Sequence, residues 1–261
     1  MSPERTEPAG PPPVLSVRAL DIGYDGRKIL EDIDFDVAAG EVFVILGGSG
    51  CGKSTLLRTL IGLIRPLDGS VRFGGEEFLG TDEAQRAALS RRFGVLYQSG
   101  ALFSSLTLLE NVMLPLEEFT ALPRDAIERI ARTKLALVSL AGFEDHYPSQ
   151  ISGGMKKRAG VARALALDPA ILFLDEPSAG LDPISSAELD RLILDLRDAL
   201  GTTMVVVTHE LASIYAIADR CIVLEKARRT VVARGKPSEL RDTSADPYVR
   251  AFFRRSSVAE V

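Results

Sequence analysis

Histidine, cysteine and tryptophan are almost missing from this chain. Its 261 residues include two histidines, two cysteines and no tryptophan. Cys51 and Cys221 make no disulfide framework, and with two histidines they fall short of a zinc site. Long apolar runs are missing too. A bilayer-spanning helix needs roughly 20 consecutive apolar residues, whereas the longest stretches here are of the size of Val42–Leu46, Ala170–Leu174 and Met204–Val207. The opening MSPERTEPAGPPP has no apolar core behind its charges, so no secretory signal is expected. Basic excess is also lacking: the formal net charge is −5, which argues against nucleic acid as the main partner. What is present is ordinary for a globular chain, 46% apolar and 26% charged, and this excludes disorder throughout. At about 150 residues per domain, the length suits one large domain or two small ones. The composition points to a soluble, reduced, cytoplasmic-type protein.

Residues 1–13 hold five prolines and read as a disordered, Pro-rich tail. Val14–Leu20 begins a folded pattern, and Asp25-Gly26 is a turn signal. Val42–Leu46 reads as a buried strand, followed by a glycine turn and a helix from Lys53 to about Leu63. Strand, glycine turn, helix is the start of a parallel α/β sheet. From about Thr107 to Leu167 the pattern is helical. Ile127, Ile130, Ala131, Leu135 and Val138 share one face, and Pro123 suits that helix's first turn. Strands return at Ile171–Leu174, Met204–Thr208 and Cys221–Leu224. A helix bearing Leu189, Leu192, Ile193, Leu196 and Leu200 lies between the first two, with Gly201 as its cap. The expected organisation is an α/β core in two parts, residues 14–97 and 169–241, interrupted by a helical subdomain at 98–168 and followed by an extension at 242–261.

The segment Gly47-Gly48-Ser49-Gly50-Cys51-Gly52-Lys53-Ser54 matches the phosphate-loop pattern G-x-x-x-x-G-K-[ST]. Glycines let the backbone turn successive N–H groups toward a polyphosphate, and the following helix begins with unpaired N–H groups and partial positive charge. Lys53 is placed to reach the β- and γ-phosphates of a nucleotide, and the Ser54 hydroxyl to ligate Mg²⁺, with Thr55 beside it. Cys51, near a helix N-terminus, has a setting that lowers a thiol pKa; the plainer reading is a small tolerated side chain.

Ala170–Leu174 is an apolar run that ends in Asp175-Glu176-Pro177. A buried strand delivers such carboxylates to the edge where α/β sheets bind ligands. Asp175 suits a hold on Mg²⁺, and Glu176 suits activation of a water attacking the γ-phosphate. An acidic pair after a strand would on its own read as a solvated turn; the phosphate loop changes that weighting.

Ile151-Ser152-Gly153-Gly154-Met155-Lys156-Lys157-Arg158 is similar to the LSGGQ signature of ABC transporter ATP-binding subunits. The resemblance covers about Val14 to Leu240 and implies a P-loop NTPase fold: an ABC-type nucleotide-binding domain with an inserted helical subdomain. It further implies an ATPase, converting ATP and water to ADP and phosphate, that works as a dimer sandwiching ATP between two copies. The implied catalytic residues are Glu176, His209, Lys53 and Gln98. The implied magnesium set is Ser54, Gln98 and Asp175. Nucleotide contacts would come from Tyr24, which matches the adenine-stacking aromatic, from Gly47, Gly48, Ser49, Gly50, Cys51, Gly52, Lys53, Ser54 and Thr55, and, across the dimer, from Ser152, Gly153, Gly154 and Asp182. Taken singly, Tyr24, Gln98 and His209 would read as a packing residue, a polar loop residue and a structural histidine. His146 matches nothing and reads as a surface residue. Ile151 and Met155 depart from the commonest signature, and Met155 removes a polar side chain from the nucleotide's surroundings.

Gln98-Ser99-Gly100-Ala101-Leu102-Phe103-Ser104-Ser105-Leu106-Thr107, together with Ser152–Met155 and Gly180–Ser185, resembles the ATPases of Mla/MCE lipid-transport systems. That implies a permease, MCE-domain partners, in some systems a STAS-domain subunit, and lipid as cargo. The place of work would be the cytoplasmic face of the inner membrane. Phe103 is then a candidate permease contact, and Leu106, Leu108 and Leu109 suit either that groove or plain core packing. Uptake of amino acids or another small solute is the rival within the family. After Asp246-Pro247, a helix with Tyr248, Val249, Phe252 and Phe253 as its apolar stripe and Arg250, Arg254 and Arg255 around it is expected. It either packs on its own domain or docks a partner.

Overall fold

The computed structural model describes residues 12–24 and 26–254. Residues 1–11 of the Pro-rich tail, Asp25 of the turn signal and Arg255 lie outside the described residues.

Strands with no polar break are buried on both faces. In β3 (Val42–Gly47), Val42, Val44 and Leu46 face one core while Phe43 and Ile45 face another. β7 (Ile171–Asp175) and β8 (Thr203–Val207) divide the same way. With β6 (Phe93–Leu96), β9 (Arg220–Glu225) and β10 (Thr230–Gly235) they form a six-stranded sheet of order β10-β9-β3-β8-β7-β6. All its pairings are parallel except β10 with β9.

A second, four-stranded antiparallel sheet has the order β2-β1-β4-β5, built from β1 (Leu15–Tyr24), β2 (Arg27–Val37), β4 (Asp68–Phe73) and β5 (Glu76–Glu77). Between the two sheets lies α1 (Lys53–Leu60), whose Leu56, Leu57 and Leu60 fill the shared core with Leu20, Ile33, Phe43 and Phe173. The helix stops three residues before the expected Leu63. Gly62 takes a left-handed φ of 80°, and the Leu63 amide turns back onto the Arg58 carbonyl.

The other face of the large sheet is covered by α3 (Leu108–Phe119), α4 (Arg124–Leu137), α5 (Gly153–Ala164), α6 (Pro183–Leu200), α7 (Leu211–Ile217) and α9 (Pro247–Arg254). Among the described residues the remaining helices are α2 (Glu83–Ser90), α8 (Pro237–Thr243) and a single 3-10 turn at Pro148–Gln150. Residues 98–168 contain helices and no strand, and α6 ends at Gly201 with φ 68°. Pro123 sits just before α4 in extended backbone rather than inside its first turn. His146 is half-buried, its ring packed on Phe143 and its carbonyl accepting from the Leu108 amide, so it is no simple surface residue. α9 packs on its own domain, with Val249 and Phe253 buried in the main core. Among the described residues, no helix is long and apolar enough to cross a membrane.

Candidate active site

The turn from β3 to α1 is shaped by glycine. At Gly47 a Cβ would lie 2.5 Å from both Cys51 Sγ and the Leu224 carbonyl oxygen, and φ is 151°. Gly52, at φ 102°, caps α1 without a side chain, and no acidic residue occupies the helix's first turn. The first-turn N–H groups therefore have no competing side-chain acceptor there, and the helix's partial positive charge is uncompensated. Lys53 is buried, and its Nζ donates to the carbonyls of Gly47 at 2.8 Å and Gly48 at 3.2 Å. Cys51 belongs to the loop, but its side chain is buried beneath it. Burial pushes its thiol pKa up and outweighs the Lys53 charge, in favour of the plain small-side-chain reading.

A cavity of about 470 Å³ gathers Gly47, Gly48, Ser49, Gly50, Lys53, Ser54, Gln98, Glu176 and His209, closed by Leu211 and Phe252. A neighbouring cavity of about 420 Å³ holds Gly50, Gly52, Lys53, Ser54 and Thr55 under Lys28, Lys226 and Arg229. That rim is cationic, although Lys28 pairs with Asp21 at 2.6 Å and Arg229 with Glu31 at 2.8 Å.

Asp175 ends β7, with a buried Oδ1 that has no hydrogen-bond partner. Burial, then the Glu176 charge, raises its pKa. Glu176 has a left-handed φ of 46°, its amide donating to the Val207 carbonyl at 2.8 Å. Its Oε1 accepts from His209 Nδ1 at 2.8 Å, while Oε2 is buried without a partner. Two orphaned carboxylate oxygens beside a phosphate loop form a donor set that suits a hard cation. Among the described residues, no three His, Cys, Asp or Glu side chains converge. Mg²⁺ is commonly bound through one or two carboxylates together with substrate phosphates, and Asp175 is the carboxylate at this strand end that would take that part.

Tyr24 is exposed at the end of β1 and is not among the residues lining either cavity. Ser152 caps α5 and accepts from the Met155 amide at 3.2 Å, with Gly153 and Gly154 in the first turn. Asp182 caps α6, accepting from the amides of Ile184 and Ser185 and from the Ser185 hydroxyl, which holds its carboxyl below the usual range. These two helix starts adjoin, since a Cβ on Gly154 would lie 3.7 Å from that of Ser185. None of these four residues lines the cavity of their own chain.

Some neighbours of the site were not read from the sequence. Tyr248 Oη accepts from the Gly48 amide at 3.1 Å and donates to the Leu224 carbonyl at 3.4 Å. The Lys157 ammonium donates to the carbonyls of Gln98 and Glu176. Both act on main chain far away in sequence, so no local motif marks them.

The family model described as "ABC transporter" matches residues 30–179. The chain belongs to the ABC transporter family. As an ABC cassette it binds ATP with Mg²⁺ and hydrolyses it, and its fold is that of the P-loop NTPase cassettes. The chain is 42% identical over 239 residues to the "probable ribonucleotide transport ATP-binding protein mkl" of Mycobacterium leprae, covering 92% of this chain and 68% of that one. It is 38% identical over 240 residues to the intermembrane phospholipid transport system ATP-binding protein MlaF of Escherichia coli K12, covering 92% and 88%. Among solved structures it resembles cbiO1 from Clostridium perfringens, part of the ABC transporter complex cbiONQ, with TM-score 0.82, 28% identity and coverage of 96% and 100%. It also resembles the dimeric post-hydrolysis state of the ATP-binding cassette MJ0796 bound to ADP and Pi, with TM-score 0.76, 30% identity and coverage of 85% and 98%.

Proposed function

We propose that this chain is one half of a two-site ATPase that powers phospholipid or other lipid transport through a membrane-embedded permease. Its partners are a second copy of itself, the permease, MCE-domain proteins and a STAS-domain subunit. It works from the cytoplasmic face of the inner membrane. The observation that carries the hydrolytic reading is the Glu176–His209 pair facing the same cavity as Lys53. The kinship with MlaF over 88% of that protein supports lipid as the cargo.

Glu176 takes the proton of the attacking water. His209 orients that carboxylate and reaches toward the γ-phosphate. Lys53 moves its donors from two loop carbonyls onto β- and γ-phosphate oxygens, and the glycine amides of residues 47–52 wrap the phosphates. Gln98 aligns the water, and Tyr24 stacks on the adenine. When bound, Mg²⁺ neutralises charge on the phosphates; Ser54, Gln98 and Asp175 would hold it. Ser152, Gly153, Gly154 and Asp182 lie off their own chain's cavity and serve the nucleotide of the second copy.

The permease contact falls near Phe103, which is exposed. Its loop is pinned by the buried Asn111, whose amide bonds the main chain of Phe103, Leu106 and Thr107. Leu108 and Leu109, by contrast, are core.

Purification in mild detergent tests this reading. A polytopic membrane protein carrying phospholipid is expected. A permease with an amino-acid-binding partner and no lipid would overturn the lipid assignment. The name of the Mycobacterium leprae relative favours a second reading, transport of a ribonucleotide-like solute. ATPase stimulation by nucleosides rather than lipid vesicles, with the complex reconstituted, would select it.

A further inference from the structure

Lys157 is buried on α5, one turn beyond the Ser152 cap, yet among the described residues it makes no ion pair within 4 Å. Its ammonium donates instead to two main-chain oxygens, Gln98 O and Glu176 O, the latter at 3.2 Å. Burying an ammonium costs several kcal/mol unless its donors are well placed. Here they join the two loops that carry the water-facing residues. Both loops leave the ends of adjacent parallel strands, β6 and β7, where ladder hydrogen bonding stops. The Glu176 backbone is also left-handed there, a conformation that persists in a non-glycine residue only when its surroundings enforce it.

The same helix grips the Gln98 loop further along. A Cβ on Gly160 would lie 2.6 Å from Leu96 Cδ1 and 3.1 Å from the Gly100 carbonyl oxygen, so helix and loop are in near backbone contact. Arg163 donates to the carbonyls of Ala101 at 2.7 Å and Gly100 at 3.3 Å. Lys157 alone among these also reaches Glu176. It does not line the nucleotide cavity.

We infer that Lys157 is a positioning residue for hydrolysis: it ties the helix that begins at Ser152 to the main chain of both Gln98 and Glu176. A shift of that helix then reaches the water-facing groups of the same chain. This rests on the reading that Glu176 activates water here and that Ser152 serves the second copy's nucleotide, so Lys157 links the two ATP sites.

The test measures ATP turnover of the full chain, with and without its membrane complex, for Lys157→Met and Lys157→Gln. Losing one charge-assisted hydrogen-bonding group is expected to lower kcat about tenfold or more in Lys157→Met. KM for ATP should change less than about twofold, since uniform binding is untouched. The Hill coefficient for ATP should fall toward one. Lys157→Gln, which keeps amide donors, should recover part of kcat. A normal kcat and Hill coefficient in Lys157→Met, or equal damage to KM and kcat with a matching fall in Tm, would overturn the inference. If Lys157→Met does not fold, the same kcat-against-KM split in Lys157→Gln decides. Glu176→Gln runs alongside: if it still turns over ATP, the underlying site reading fails, whereas a dead Glu176→Gln beside an unaffected Lys157→Met defeats only the inference about Lys157.

Discussion

His209 Nδ1 stands 2.8 Å from Glu176 Oε1, although the two residues are 33 apart in the chain. Sheet register explains the meeting. β7 and β8 run parallel with Asp175 opposite Val207, so Glu176 and His209 are each carried just past the end of paired strands. With Nδ1 donating to the carboxylate, the imidazole's other nitrogen lies 3.6 Å from Glu210 Oε1, and the second carboxylate oxygen of Glu176 is buried without a partner.

That pairing makes Glu176→Gln the most direct test. The amide keeps the size of the side chain and loses the base. ATP turnover should drop by roughly 10²- to 10⁴-fold, the range of a positioned general base. Nucleotide binding should survive, and the closed dimer should accumulate with ATP on size-exclusion chromatography. Near-normal phosphate release would remove Glu176 from the base role.

Tyr248 poses a different question, since its hydroxyl accepts the Gly48 amide that a bound phosphate also needs. α9 is fixed there by the buried Val249 and Phe253 and by Asp246 paired with Arg228 at 2.6 Å. Tyr248→Phe keeps the ring and frees the amide. A hydrogen bond worth about 1 kcal/mol corresponds to roughly fivefold tighter nucleotide binding. Titration of a fluorescent ADP analogue should show the lower Kd, and an unchanged or weaker Kd would mean that the contact does not compete with nucleotide.

How much of this was legible beforehand varies with how local the signal is. The phosphate loop, the Asp175-Glu176-Pro177 turn and the serine-capped signature helix are short motifs whose chemistry sits in consecutive residues. The four-stranded sheet went largely unread beyond the pattern beginning at Val14. Ala19 and Asp32 adopt left-handed φ values of 44° and 49°, and the register shifts between Val17 and Gly23 break the alternation that marks a strand. β6 is four residues long with a glycine inside. Gly94 is demanded by close packing, as a Cβ there would lie 2.0 Å from the Ala164 carbonyl oxygen, and nothing in the local sequence says so. Lys157 and Tyr248 escaped for the same reason, because their partners are main-chain atoms 59 and 200 residues away.

The two thiols should be inert in the folded protein. Burial pushes Cys221 up to about 12 and raises Cys51 as well. At pH 8 a thiol with a pKa of about 12 is ionised to a fraction on the order of 10⁻⁴, so Cys221 lies far below a free cysteine, and burial moves Cys51 in the same direction. Iodoacetamide should therefore leave both unmodified under native conditions and label both in concentrated urea, as read by mass spectrometry. Rapid native labelling of either would contradict the packing beneath the phosphate loop or that of β9 against β10.

Asp190 supplies a prediction about pH. It is buried on α6, and burial raises its pKa above the ordinary 3.8. The nearby Ser213 hydroxyl offsets part of this, yet its geometry falls short of a hydrogen bond: Asp190 Oδ1 and Ser213 Oγ are both buried without partners. The sign follows from linkage. Below the ordinary pKa the group is protonated in both folded and unfolded chains and carries no penalty. As pH rises through the raised folded value, the folded chain must ionise a buried carboxyl, and stability is lost. Asp190→Asn cannot ionise, and its amide offers the Ser213 oxygen a donor. Urea denaturation should find the variant's advantage over the parent small at pH 4.5 and larger at pH 8, with m unchanged. A gap that shrinks with rising pH would show that Asp190 is held as a satisfied anion between α6 and α7.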